Sequence, residues 1–134
     1  MPRHASIHPT QAELEILNVL WRQGPSTVRQ VHDAVQAGRQ IPTTLTTTLK
    51  MLQLMVEKHL VVRMDMRPHQ YRAAARQEQT QAGLVEDLVR RAFDGSVHKL
   101  LVRAVEDADL SGDELKALRQ LIDHVRDHTR GDKS

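Results

Sequence analysis

Five of the six residues from Thr43 to Thr48 are threonine, with Leu45 the exception. Threonine costs up to about 0.7 kcal/mol relative to alanine inside a helix, so a run of them is intrinsically poor helix material. One can serve as an N-cap; the others call for a chemical reason. At the start of an exposed helix, threonine hydroxyls can bond phosphates or base edges, and the γ-methyl can touch a thymine methyl. The helix N-terminus adds free backbone N–H groups suited to an anion. Lys50 and Gln53 follow one and two turns on, opposite Leu49 and Leu52. Thr44, Thr46, Thr47, Lys50 and Gln53 are therefore candidate nucleic-acid contacts.

Other polar groups fit the same chemistry. Ser26, Thr27 and Arg29 could clamp a phosphate at the start of another helix. Arg63, Arg67 and Arg72, with His69, place cations on and around a short β-hairpin, where they would meet backbone or minor groove. The eight histidines raise the question of a metal. His124 and His128 share i,i+4 spacing, as do His4 and His8, but two ligands do not make a site and no third is identifiable. Cysteine is absent, which excludes disulfides and thiolate chemistry. There is no HExxH, no phosphate-cradling glycine loop and no nucleophile elbow. No enzyme, no metal site and no cofactor are expected.

The elements that must position these residues can be read from the pattern. Thr10-Gln11-Ala12-Glu13 is a capping box. Leu14, Leu17 and Trp21, flanked by Ile16 and Leu20, continue at helical spacing until Gly24-Pro25. Ser26 is expected to cap a second helix with Val28, Val31 and Val35 on its apolar stripe, ending at Gly38. A third runs from Thr44 or Leu45 to His59, with Leu45, Leu49, Leu52, Met55 and Val56 inward. The period then falls to two, so 60–64 and 69–73 read as strands around Asp65-Met66-Arg67-Pro68. Three helices and a hairpin are the order of a winged helix-turn-helix, and this domain is assigned to residues 1–75.

Residues 76–134 read as purely helical. Leu84, Val85, Leu88, Val89, Ala92 and Phe93 form one stripe, broken at Asp94-Gly95. Ser96 caps a helix carrying Val97, Leu100, Leu101, Ala104 and Val105. Ser111-Gly112-Asp113-Glu114 is a second capping box, opening a helix with Leu115, Leu118, Leu121, Ile122 and Val125 on one side. Short helices with such wide apolar stripes need a cover, since exposing them costs about 25 cal/mol per Å². A second copy of the chain would supply it, which makes Leu84, Leu88, Phe93, Leu100, Leu101, Val105, Leu118, Leu121, Ile122 and Val125 candidate dimerisation residues. The alternative is an intramolecular bundle.

Composition sets outer limits. The 134 residues are 40% apolar, yet only Trp21, Tyr71 and Phe93 are aromatic, which disfavours a large organic-ligand pocket. No stretch approaches the roughly 20 apolar residues of a membrane span. With no apolar leader at the N-terminus, a cytoplasmic protein is expected. The formal charge is only +2, but residues 1–75 carry nine Lys/Arg against five Asp/Glu, and residues 76–134 carry ten against twelve. The front half is suited to a polyanion and the back half to another task.

Taken together these segments resemble the penicillinase-repressor family, which includes β-lactamase, methicillin-resistance and copper-responsive repressors. The resemblance runs from about Thr10 to Asp127. In the front half it rests on 12–21 with its Leu20-Trp21 end, Thr27-Val28-Arg29-Gln30-Val31, Leu45-Thr46-Thr47-Thr48-Leu49 and Glu57-Lys58-His59-Leu60-Val61. In the back half it rests on Ala92-Phe93-Asp94-Gly95-Ser96, Val105-Glu106, Leu110-Ser111 and Glu114-Leu115.

The resemblance implies a mainly α fold with a small β-hairpin: an N-terminal winged helix-turn-helix and a C-terminal helical dimerisation arm. It implies a homodimeric repressor on a palindromic operator, with double-stranded DNA, a second copy and a sensor protease or other inducer as partners. Four departures stand out. Leu54 replaces a frequent basic residue, and His59 replaces the usual helix-ending glycine. Arg103-Ala104 stands where the resistance repressors carry a cleaved Asn-Phe bond, and the cysteines of the copper branch are missing. Two other readings remain open from the residues: a winged-helix protein-interaction module without DNA contact, and a metal-sensing regulator using His124 and His128.

Overall fold

The computed structural model describes residues 8–133, with side chains through 128. Its elements, in chain order, are α1 (Gln11–Gln23), β1 (Ser26–Thr27), α2 (Val28–Ala37), α3 (Leu45–Glu57), β2 (Val61–Met64), β3 (Gln70–Ala73), α4 (Gln77–Ala92), α5 (Val97–Asp107) and α6 (Gly112–Lys133). The protein is mainly helical with one small antiparallel sheet, as the pattern of periods anticipates. The chain forms two compact units, Met1–Asp87 and Leu88–Ser134; the boundary falls within α4, whereas the sequence pattern changes at 75/76.

In the first unit, α1 begins at the anticipated capping box. The Thr10 hydroxyl accepts from the Glu13 amide at 3.2 Å, and the Thr10 amide donates to the Glu13 carboxylate at 2.9 Å. Ile16, Leu17 and Leu20 from α1 join Val31 of α2, Leu52 and Met55 of α3, Val61 of β2 and Tyr71 of β3 in one core. Trp21 packs at its edge, and its indole N–H donates to the Ala75 carbonyl at 3.0 Å, tying the chain after the sheet to α1.

The sheet corrects one expectation. Ser26 does not cap α2. Ser26 and Thr27 form β1, which pairs antiparallel with β3 (Ser26 opposite Tyr71, Thr27 opposite Gln70). Thr27 is the cap, in a reciprocal box with Gln30: its hydroxyl accepts from the Gln30 amide at 3.2 Å, and its amide donates to the Gln30 side chain at 2.9 Å. The anticipated hairpin is present, Val61 opposite Ala73 through Met64 opposite Gln70, so β3 is the centre of three strands.

His59 takes the left-handed conformation, φ 65°. The Leu60 amide donates to the Met55 carbonyl at 2.8 Å and the His59 amide to Val56 at 3.0 Å. This is a Schellman ending of α3 with histidine in the place that glycine usually fills. It turns the chain from α3 into β2.

In the second unit, α4 ends at Asp94-Gly95, both at positive φ, and the Gly95 amide donates to the Val89 carbonyl at 2.9 Å. Ser96 caps α5 through the Lys99 amide at 3.1 Å. Ser111 and Glu114 form the second anticipated box at 3.1 Å in each direction. Burial is sparse: α5 has no buried residue, and among the described residues of this unit only Val89 joins the buried hydrophobic set.

Candidate nucleic-acid interface

The phase of α3 separates its residues into two sets. Thr48, Leu52 and Met55 are buried, and Leu45, Leu49 and Val56 are half-buried beside them. Thr44, Thr46, Thr47, Lys50 and Gln53 are exposed. Thr48 is thus the one buried member of the threonine run, with Thr43 half-buried. Its hydroxyl lies 3.1 Å from His32 Nδ1 on α2 and donates to the Thr44 carbonyl at 3.4 Å. The pair fixes α3 against α2 by a polar contact that no local pattern announces.

At the mouth of α3, Thr44 is the N-cap. Its hydroxyl accepts from the Thr47 amide at 3.1 Å and lies 2.9 Å from the Thr47 hydroxyl. Both threonines therefore have local duties, while the Thr46 hydroxyl and the Lys50 and Gln53 side chains have no partner among the described residues. The preceding loop is clamped by Gln36. Its amide group donates to the Ile41 carbonyl at 3.3 Å and accepts from the Thr43 amide at 2.8 Å. Arg39 of the same loop pairs with Glu15 on α1.

Of the residues expected at the start of α2, Arg29 is exposed, and Thr27 is half-buried with its hydroxyl committed to the cap. Ser26 is 2% exposed and donates to the Gly24 carbonyl at 2.8 Å. Its hydroxyl serves the β1 turn and is not presented to a phosphate. On the hairpin, Arg63 and Arg67 are exposed, with no ion pair among the described residues. Arg72 donates to the Ala73 carbonyl at 3.4 Å, and His69 Nδ1 lies 3.2 Å from the Met64 carbonyl, across the turn.

Behind this face sits a buried carboxylate. Glu13, at the start of α1, receives the Lys58 ammonium from the end of α3 at 2.6 Å. Burial alone would raise the Glu13 pKa; the hydrogen bond and charge of Lys58, together with Thr10, outweigh it and hold the carboxyl below its usual range. Glu13, Ser26 and Thr48, the buried polar side chains among the described residues, all have partners.

Among the described residues no group of three or more His, Cys, Asp or Glu is gathered to hold a metal ion. The His124 and His128 rings stand with centroids 4.6 Å apart, and His4 lies outside the described residues. Of the residues assigned to dimerisation, Leu88, Leu101, Val105, Leu118, Leu121, Ile122 and Val125 are exposed, while Leu84, Phe93 and Leu100 are half-buried. Leu121 and Ile122 are the most open, at 56% and 60%. No helix among the described residues is long and apolar enough to cross a membrane.

Fold and face together define a winged helix-turn-helix followed by C-terminal helices, with α3 presenting an unpaired polar ridge. The family profile described as penicillinase repressor matches residues 9–124. The chain is also similar to a transcriptional regulator BlaI of Mycobacterium tuberculosis, at 37% identity over 113 residues covering 82% of this chain and 79% of the relative. The methicillin resistance regulatory protein MecI of Mammaliicoccus sciuri is 24% identical over 115 residues, 84% of this chain and 91% of the relative. The MecI protein of Staphylococcus aureus strain N315 is 23% identical over the same span. The chain belongs to the penicillinase repressor family, a family of transcriptional repressors.

Proposed function

We propose that this protein is a homodimeric repressor that binds a palindromic DNA operator through α3 and the β2–β3 wing. One observation carries the reading: among the described residues, the exposed ridge of α3 offers Thr46, Lys50 and Gln53 without protein partners, and the wing adds unpaired Arg63 and Arg67. Cations held by no carboxylate are free to displace counterions from phosphates, and hydroxyl, amide and ammonium groups on one ridge suit the hydrogen-bonding edges of the major groove. Arg29, at the first turn of α2, is available for a flanking phosphate; Thr44 and Thr47 contribute methyl groups and the amide-lined helix entrance.

The second unit supports dimerisation. Its helices leave Leu101, Val105, Leu118, Leu121 and Ile122 in water, a set that a second copy can cover. Pairing sets two α3 helices on one duplex, and half-sites about 34 Å apart, one helical turn, suit that symmetry. The cytoplasm is the compartment in which such a protein meets its operator.

Binding of the purified protein to the DNA upstream of its own gene, measured at 50 and 200 mM salt, tests this. Tight binding at low salt, weakened by about 10³-fold or more at high salt, is expected for six or more phosphate contacts. Lys50→Ala should flatten the salt dependence while leaving the dimer intact. Binding no stronger than to scrambled duplex refutes sequence-specific repression, and an unaffected Lys50→Ala variant favours a protein-interaction role.

A further inference from the structure

Four large apolar side chains are exposed among the described residues of the first unit: Ile41 at 78%, Leu54 at 51%, Val85 at 47% and Met66 at 38%. Single exposed leucines on a surface need no explanation. Val85 is such a single residue, on α4; the other three stand closer together in the fold order, Ile41 in the loop leading into α3, Leu54 on α3 itself and Met66 in the wing turn. Leu54 and Met66 belong to the two elements assigned above to DNA, and Ile41 to the loop that enters one of them.

Leu54 is the most constrained of them. Thr47, Lys50 and Leu54 stand at i, i+3 and i+7, so they form one ridge. This is spacing from which a helix lying in the major groove reaches successive base pairs. Thr48, Leu52 and Met55 claim the inward side of the helix, and Leu54 takes no part in the hydrophobic core. An aliphatic side chain offers neither donor nor acceptor. The apolar feature of the major-groove edge is the 5-methyl group of thymine.

We infer that Leu54 is a specificity-determining residue that selects a thymine at one position of each half-site by packing on its 5-methyl group. The inference rests on the operator-binding reading above. Leu54 also discriminates by exclusion. A guanine or cytosine edge facing it surrenders bound water and receives no hydrogen bond in return, so attraction to the methyl and rejection of G·C act in the same direction.

The experiment begins with duplexes that the full-length protein enriches from a random pool. Each thymine common to them is then replaced by deoxyuridine, which keeps its pairing edge and loses only the methyl. For the wild type, one position per half-site should lose about fourfold in affinity, the effect of one methyl-sized group withdrawn from apolar contact. Leu54→Ala should bind the thymine and uracil duplexes equally, with an unchanged salt slope and an unchanged circular dichroism spectrum. A wild type indifferent to every uracil, or a Leu54→Ala variant that keeps the same fourfold difference, overturns the inference. So does loss of the difference in Ile41→Ala or Met66→Ala with Leu54→Ala still sensitive. Failure to enrich any duplex is a separate result: it refutes the operator-binding reading, and this inference falls with it.

Discussion

Replacing His59 with glycine should stabilise the protein. His59 sits at φ 65°, a region in which the β-carbon of an L-residue crowds its own backbone at a cost of about 1–2 kcal/mol. Glycine removes that cost but gains freedom in the unfolded chain, which returns about 0.4–1 kcal/mol. The imidazole is exposed, so little packing is lost with it. The Schellman hydrogen bonds run through the backbone amides of His59 and Leu60 and survive the change. The net gain is about 0.5–1 kcal/mol, and each kcal/mol raises the melting temperature of a domain this size by about 4–8 °C. His59→Val should lose about 1–2 kcal/mol, because a β-branched residue is the least suited to this conformation. Urea unfolding followed by circular dichroism, at equal chain concentration, measures both. The midpoint should rise for glycine and fall for valine with the slope unchanged. Glycine equal to or below the wild type would refute the reasoning.

Two further outcomes follow from other contacts. The Glu13 carboxyl is held below its ordinary value of 4.5, so its contribution is complete above that pH and is lost as pH falls through the lowered folded value. Lys58 is 43% exposed, and after discounting for screening the contribution is about 1–2 kcal/mol. Glu13→Gln should therefore be less stable at pH 7 and approach the wild type in acid; urea midpoints at pH 7, 5 and 3.5 check this, and parallel curves would count against it. Leu121→Asp combined with Ile122→Asp should convert a dimer to a monomer in sedimentation velocity while helix content stays constant. A dimer that persists places the pairing surface away from this part of α6.

How much was legible in the sequence depended on how local each interaction is. The boxes at Thr10–Glu13 and Ser111–Glu114 span three residues, so both partners are visible together. The wing announces itself by alternation, and the end of α4 by Asp94-Gly95. Ser26 looked like a cap because its true role depends on Tyr71, a partner 45 positions away that draws it into a strand too short to show a period. Thr48 was hidden for a similar reason. A hydroxyl reads as surface until His32 is known to stand 3.1 Å from it. Glu13 displayed one of its duties, the cap, but not its bond to Lys58 at the far end of α3. The outward side of α3 is legible because five large apolar residues fix the phase of the helix.

The placement of β3 between β1 and β2 has a mechanical consequence. Because β1 runs straight into α2, the two strand pairings bolt the hairpin to the first turn of that helix, so the wing is a bracket rather than a loose flap. On the operator-binding reading proposed above, the backbone positions of Arg29, Arg63 and Arg72 are joined through one paired framework before DNA arrives. Docking as proposed would then need little ordering of this framework, and a duplex whose backbone is too wide or too narrow would meet a gauge that does not adjust.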